Sequence, residues 1–288
     1  MNHALTKSLQ LIDLGLANQK ITRAFNSIGS NIFFEFGKDI EITFPNGKKD
    51  TRKEWVIWIG DASWRIVNHN KYVIGSGDRI IQSKIQILKG KRFQFFQALS
   101  QFFDIEFNFE DGYQLSTFFN GLLEDQWTLF LPNQTEIFID CSNKNKIHKV
   151  MDITNHLSIK NYFQPIEPSL NDIKVTNIIY DELDLRTIQC ENDISIKLER
   201  CTWRLEKDNE YLVGYLDENK ENIKNEFSRI IGKKIHRIDV ANTMMDARFQ
   251  FEDLYVLKTF TCCRKVTQWK ITSKTDILFQ ADISLAKI

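Results

Sequence analysis

The sequence predicts an α+β fold with a β majority: two tandem antiparallel meander-type repeats, each carrying one or two short helices. Three observations carry that expectation. Tryptophans, glycines and acidic residues recur at nearly constant spacing along the chain. Apolar residues alternate with polar ones between turn-forming residues, the period of a half-buried strand. Helical periodicity is confined to a few short stretches.

The recurrence has two registers. Trp64-Arg65-Ile66 answers Trp203-Arg204-Leu205, and Tyr72, Gly75 and Asp78 answer Tyr211, Gly214 and Asp217, all offset by 139. Gly90-Lys91, Asp104, Phe107, Phe109, Leu115, Phe118, Gln126 and Trp127 answer Gly232-Lys233, Asp246, Phe249, Phe251, Leu257, Phe260, Gln268 and Trp269 at an offset of 142. A three-residue insertion near 220–225 accounts for the step. Self-similarity of this length is the signature of repeated structural units. Upstream, Trp55, Ile57 and Ile59 align with Ile194, Ile196 and Leu198, and Ile32–Phe36 is expected to answer Ile173–Ile178. The repeats are placed at 1–145 and 146–288. The short polar junction at 142–149 contains no long linker, so the halves are expected to pack together.

In chain order, Leu5, Leu9, Leu11, Ile12 and Leu16 allow an N-terminal helix. Trp64–Val67 and Lys71–Ile74 flank Asn68-His69-Asn70 and read as a hairpin. Asp78–Leu88 reads as a short amphipathic helix with Asp78 as its N-cap. Ile105, Phe107 and Phe109 alternate with polar residues, Glu110-Asp111-Gly112 supplies a turn, and Tyr113–Phe119 returns as the next strand. Trp127–Phe130 and Glu136–Asp140 form another hairpin. The second half repeats the series, with a helix over Asp217–Ile231 capped by Asp217. Leu254 stands there in place of the turn glycine, so that hairpin is expected to bend differently.

Composition bounds the function. Thirty-eight basic and 38 acidic residues balance, which argues against nucleic acid as the partner. The five cysteines show no CxxC spacing, and the five histidines show no metal-ligand spacing. No secretory leader and no apolar run of membrane-spanning length is present, so a soluble, cytoplasmic, reducing setting is expected. No cofactor, metal site or catalytic residue is predicted. Of the paired thiols Cys262 and Cys263, strand alternation places one inside and one outside.

The candidate binding residues are Arg65, Arg204, Lys91, Arg92, Lys233, Lys234 and His236. On a strand, Trp64 and Trp203 turn into the core while Arg65 and Arg204 face the other way. There an arginine either pairs with a surface acid or holds a partner's carboxylate. Gly90-Lys91-Arg92 and Gly232-Lys233-Lys234, the latter with His236, form small basic turns. They are either solvated loops or contacts for an acidic partner. Lys48, Lys49, Arg52 and Lys53 make a third basic cluster, interleaved with Asp50 and Glu54.

The ordered pattern of Trp-Arg, a Gly/Ser-Asp turn, Gly-Lys, the Asp-x-x-Phe-x-Phe strand and Gln-Trp resembles that of small uncharacterised bacterial proteins. Some of those belong to toxin-immunity or defence neighbourhoods. The resemblance covers most of the chain, twice, and implies a non-enzymatic role in masking a protein partner. The alternatives are a regulatory protein with a small-ligand pocket between the repeats, and, third, an enzyme of unknown type. No membrane association is expected.

Overall fold

The computed structural model describes residues 15–43, 46–60, 62–100, 104–121, 126–132, 136–138, 163–165, 170, 172–181, 184–241, 244–263 and 267–281. The expected N-terminal helix, apart from its last residues, and the expected junction at 142–149 lie outside them. The chain divides into two compact units, one made mostly of residues up to 158 and the other mostly of residues from 159 onward.

Among the described residues the first unit contains ten strands: β1 (Ile21–Asn26), β2 (Ile32–Thr43), β3 (Lys49–Ile59), β4 (Ser63–Asn68), β5 (Lys71–Gly75), β6 (Phe93–Ala98), β7 (Ile105–Phe109), β8 (Tyr113–Phe118), β9 (Trp127–Phe130) and β10 (Glu136–Phe138). Helix α1 (Ile81–Ile85), extended by one 3-10 turn over Gln86–Leu88, lies between β5 and β6. The strands form two antiparallel sheets, ordered β1-β2-β3-β9-β10 and β5-β4-β8-β7-β6. Phe34 and Phe36 from the first sheet meet Phe109 and Phe93 from the second at ring distances of 6.1 and 6.4 Å, and Trp127 meets Phe107 at 6.3 Å. All are buried. The core therefore lies between the two sheets, filled by the apolar half of each period-two strand.

The second unit contains β11 (Phe163–Pro165), β12 (Ile173–Asp181), β13 (Asp184–Cys190), β14 (Ser195–Leu198), β15 (Thr202–Lys207), β16 (Glu210–Gly214), β17 (Lys234–Ala241), β18 (Ala247–Phe251), β19 (Tyr255–Phe260), β20 (Trp269–Thr272) and β21 (Ile277–Ala281). Helix α2 (Lys220–Ser228) follows β16. The neighbours run β16-β15-β19-β18-β17 and β12-β13-β14-β20-β21, joined into one sheet by Ile173–Ile235 and Lys174–Lys234, with β11 on β17. In the first unit the equivalent junction is the isolated bridge Lys20–Arg92. Trp203 packs edge-on against Phe227 of α2 at 5.2 Å, and Trp269 against Phe249 at 5.3 Å.

The hairpins follow turn chemistry. His69 and Asn70, and Asp208 and Asn209, take positive φ between β4 and β5 and between β15 and β16. That is the two-residue primed turn matching strand twist. Both β7–β8 and β18–β19 turn through one 3-10 turn, with Asp111 at φ +61° and Gly112 at +72° in one, and Asp253 at +56° and Leu254 at +65° in the other. The expectation that Leu254 bends its hairpin differently is therefore wrong: leucine adopts the glycine conformation. The neighbour explains the difference in residue. A Cβ on Gly112 would lie 2.2 Å from His69 Nδ1, whereas the residue in the place of His69 is the smaller Asp208. Both turns are anchored alike, His69 N–H donating to Gly112 O and Asp208 N–H to Leu254 O, each at 3.1 Å.

Four further expectations are corrected. Ile173–Asp181 does not occupy the place of Ile32–Phe36: it pairs with β13, and β13 with β14, as β1 pairs with β2, and β2 with β3. The N–H of Val175 donates to Lys233 O as that of Ile21 donates to Lys91 O, each at 2.9 Å. Asp78 and Asp217 do not cap helices. They fold back to accept the N–H of Gly75 at 3.0 Å and of Gly214 at 2.9 Å, while Asn219 caps α2 by accepting from Asn222 N–H at 3.0 Å. Both helices are accordingly shorter than expected. Cys262 and Cys263 lie beyond β19 and are both buried, because the strand has ended before alternation could separate them.

Candidate functional site

Trp64 and Trp203 are fully buried in the core, as the alternation requires. Arg65 and Arg204 do face the opposite side, but Arg204 is 1% exposed, not at the surface. Its Nε donates to Glu206 Oε1 at 2.6 Å, and Glu206 Oε2 meets Lys258 Nζ at 2.7 Å. Register extends this into a ladder. Arg204 lies opposite Lys258, Lys258 opposite Arg248, and Arg248 opposite Asp239, which accepts from Arg237 at 2.6 Å and Gln250 at 2.8 Å. Like charges on adjacent strands repel, and Glu206 and Asp239 offset that repulsion. Burial pushes the Glu206 carboxyl up, but the charges of Arg204 and Lys258 override it and hold the group below the ordinary carboxylate value.

In the first unit the same positions carry fewer charges. Arg65 lies opposite Ser116, Ser116 opposite Glu106, and Glu106 opposite Gln97. Glu106 Oε1 accepts from Gln97 at 2.7 Å and from Asn108 and Gln114, each at 3.2 Å.

The basic turns are held in place. Lys91 pairs with Asp111 and lies 5.5 Å over the Tyr113 ring, and Lys233 does the same with Asp253 and Tyr255. Each lysine clasps the 3-10 turn of its unit, and its hydrogen bond to that aspartate raises its pKa. Arg92 donates to Asn18 O at 3.0 Å. Lys234 contributes its backbone N–H to Glu252 at 3.0 Å and leaves its side chain exposed. His236 Nδ1 is 3.7 Å from Asp172 at the surface. Lys91 and Arg92 thus stand together beside one turn, and Lys233, Lys234 and His236 beside the other. The two arginines of the Trp-Arg pairs lie on the sheet faces instead.

A second difference between corresponding faces lies on the outer side of the β1–β2–β3 sheet. Phe25 is stacked on Phe33 at 4.9 Å with planes 4° apart, and Phe33 is stacked on Trp58 at 6.0 Å and 12°. All three are half-buried. The Trp58 indole N–H is buried without a hydrogen-bond partner among the described residues. The guanidinium of Arg23 sits 4.4 Å from the Phe25 ring centre and 3.8 Å from Glu35. Burial raises the pKa of Glu35, with Arg23 and Lys53 opposing the shift. At the corresponding places of the second unit, Ile179 and Thr187 face each other and Thr187 faces Lys197. No aromatic stripe forms there.

Beside the stripe, β1 and α1 enclose an open groove of about 520 Å³ lined by Thr22, Arg23, Ala24, Phe25, Lys53, Gln82, Gln86 and Lys89. β1 is the edge strand of its sheet. Its outward groups are occupied: Asn26 N–H donates to Gln82 Oε1 at 2.8 Å, and Gln86 Nε2 donates to Ala24 O. The two glutamines, one helical turn apart, stand in for a neighbouring strand and protect the edge. Sequence reading missed this site. Its stacked residues come from three strands, and only the pairing register brings them together.

Among the described residues no group of three or more His, Cys, Asp or Glu side chains is arranged to hold a metal ion, and no helix is long and apolar enough to cross a membrane. No protein-family model matches the chain, and neither the curated proteins nor the solved structures contain a match.

Proposed function

We propose that this chain is a tandem duplicate that acts as a non-enzymatic binding protein of the immunity or antitoxin type, masking a protein partner with the outer face of its first unit. The duplication is supported by the matched order of strand neighbours, the paired primed turns and the two lysine-aspartate clasps. The observation that carries the function is the asymmetry of the outer faces. The core and turn positions recur in both units, whereas the half-buried Phe25–Phe33–Trp58 stripe stands where the other unit has Ile179, Thr187 and Lys197. Large aromatics on a partly exposed face are the residues that anchor protein interfaces. The partner is a protein and not a nucleic acid, because Phe33 is sandwiched between two rings and Arg23 lies over Phe25. Neither Phe33 nor Phe25 is therefore a free platform on which a base would stack.

The test is a graft. The triple variant Phe25→Ile, Phe33→Thr and Trp58→Lys gives the first face the residues of the second, all compatible with a strand. Wild-type protein captures a stoichiometric partner from its host, identified by mass spectrometry. The graft, folded by circular dichroism, loses that partner. Equal capture by both proteins, or no stoichiometric partner at all, sinks the reading.

A further inference from the structure

We infer that the groove between β1 and α1 receives an extended acidic segment of the partner, held by Arg23, Lys53 and Lys89. This rests on the proposal that the first unit binds a protein, and it assigns the chemistry of what is bound. Three cations from three separate parts of the chain (β1, β3 and the loop after α1) line one trough. No ion pair with Lys89 is formed among the described residues. Lys53 meets Asp39 at 3.0 Å, but Asp39 does not line the groove. Gln82 uses its carbonyl oxygen to accept from Asn26, so its NH2 remains to donate into the trough.

The shape selects a chain over a compact anion. Gln82, Gln86 and Lys89 fall on one side of the helical segment over about 10 Å, which matches roughly three residues of an extended peptide. The trough is open along its length. The two lysines bring flexible stems that follow a chain, whereas small phosphates are held in closed nests of backbone N–H groups. The second unit lacks these three charges at the corresponding positions. Asn177 and Ile231 stand where Arg23 and Lys89 would be, and the β13–β14 hairpin is too short to supply a counterpart of Lys53.

The experiment is fluorescence anisotropy of the full chain with a labelled oligoglutamate peptide at low salt. Binding is expected, weakened roughly tenfold or more by Lys53→Glu with Lys89→Glu. The paired Lys→Gln variant should fall between. The control pair Lys197→Glu with Lys224→Glu, on the second unit, should bind like wild type. Circular dichroism melts confirm that each variant is folded. Equal binding by the groove variant and wild type overturns the inference, as does displacement of the peptide by an equimolar amount of inorganic pyrophosphate, which would make this a small-anion site. If the aromatic graft loses the host partner while oligoglutamate fails to bind, the acidic-segment inference falls and the protein-binding reading stands.

Discussion

Replacing Glu206 by glutamine tests how the buried charge ladder is held. The carboxylate bridges Arg204 and Lys258 at 2.6 and 2.7 Å, with Arg204 and Glu206 at 1% and 2% exposure. Removing it leaves two cations facing each other across adjacent strands, with Arg248 next in register. Breaking a buried pair from one side costs about 3–5 kcal/mol, because the remaining charge stays desolvated. For a unit of this size that corresponds to a fall in melting temperature of roughly 10 °C. Removing the three linked charges together by Arg204→Met, Glu206→Leu and Lys258→Met should cost less, since most of the desolvation penalty leaves with them. The pH dependence follows from the same geometry. The folded pKa of Glu206 lies below its unfolded value, so its contribution is fully present above about pH 4.5 and is lost as pH falls through the folded value. Calorimetry should therefore show this part of the acid sensitivity in wild type and not in Glu206→Gln. A Glu206→Gln protein melting within about 1 kcal/mol of wild type would refute the reasoning.

Leu254→Gly should stabilise the chain by about 0.5–1 kcal/mol, because Leu254 is 64% exposed and held at φ +65°; denaturant titration reads this, and a loss of stability contradicts it. Gly112→Ala should destabilise through its clash with His69, and His69→Asp, the residue of the second unit, should restore part of the loss in the same titration. The Cys190 thiol is pushed up to about 12 by burial. It should resist iodoacetamide in the native protein at pH 8 and react only after unfolding, as read by peptide mass spectrometry.

Much of the fold was legible because turn chemistry and strand period are local. Asn70 and Asn209 tolerate positive φ, and the Phe107–Phe109 and Phe249–Phe251 alternations fix which face is inward. What was illegible depends on distant register. Phe34 and its partner Ile57 are 23 residues apart, while Ile188 and Ile196 are only 8 apart. The β2–β3 hairpin is thus much longer than its counterpart, and comparison at a constant offset slid Ile173–Ile178 onto the wrong strand. The aspartates of the Gly-Asp turns present the same signal whether they cap a helix or close a turn. Arg204 reads as a surface residue by type, and its burial is a property of the whole sheet face. The candidate site was hidden for the same reason. Phe25, Phe33 and Trp58 share no sequence pattern, and Lys53 and Lys89 belonged to clusters in which other lysines drew attention.

Hydrogen-deuterium exchange on the complex with the captured host partner tests the central claim most directly. The account predicts slowed exchange over Ile21–Asn26, 32–36 and 55–59, with the corresponding strands Ile173–Asp181, Asp184–Cys190 and Ser195–Leu198 unchanged. Protection confined to the second unit, or absent from β1, β2 and β3, would contradict it.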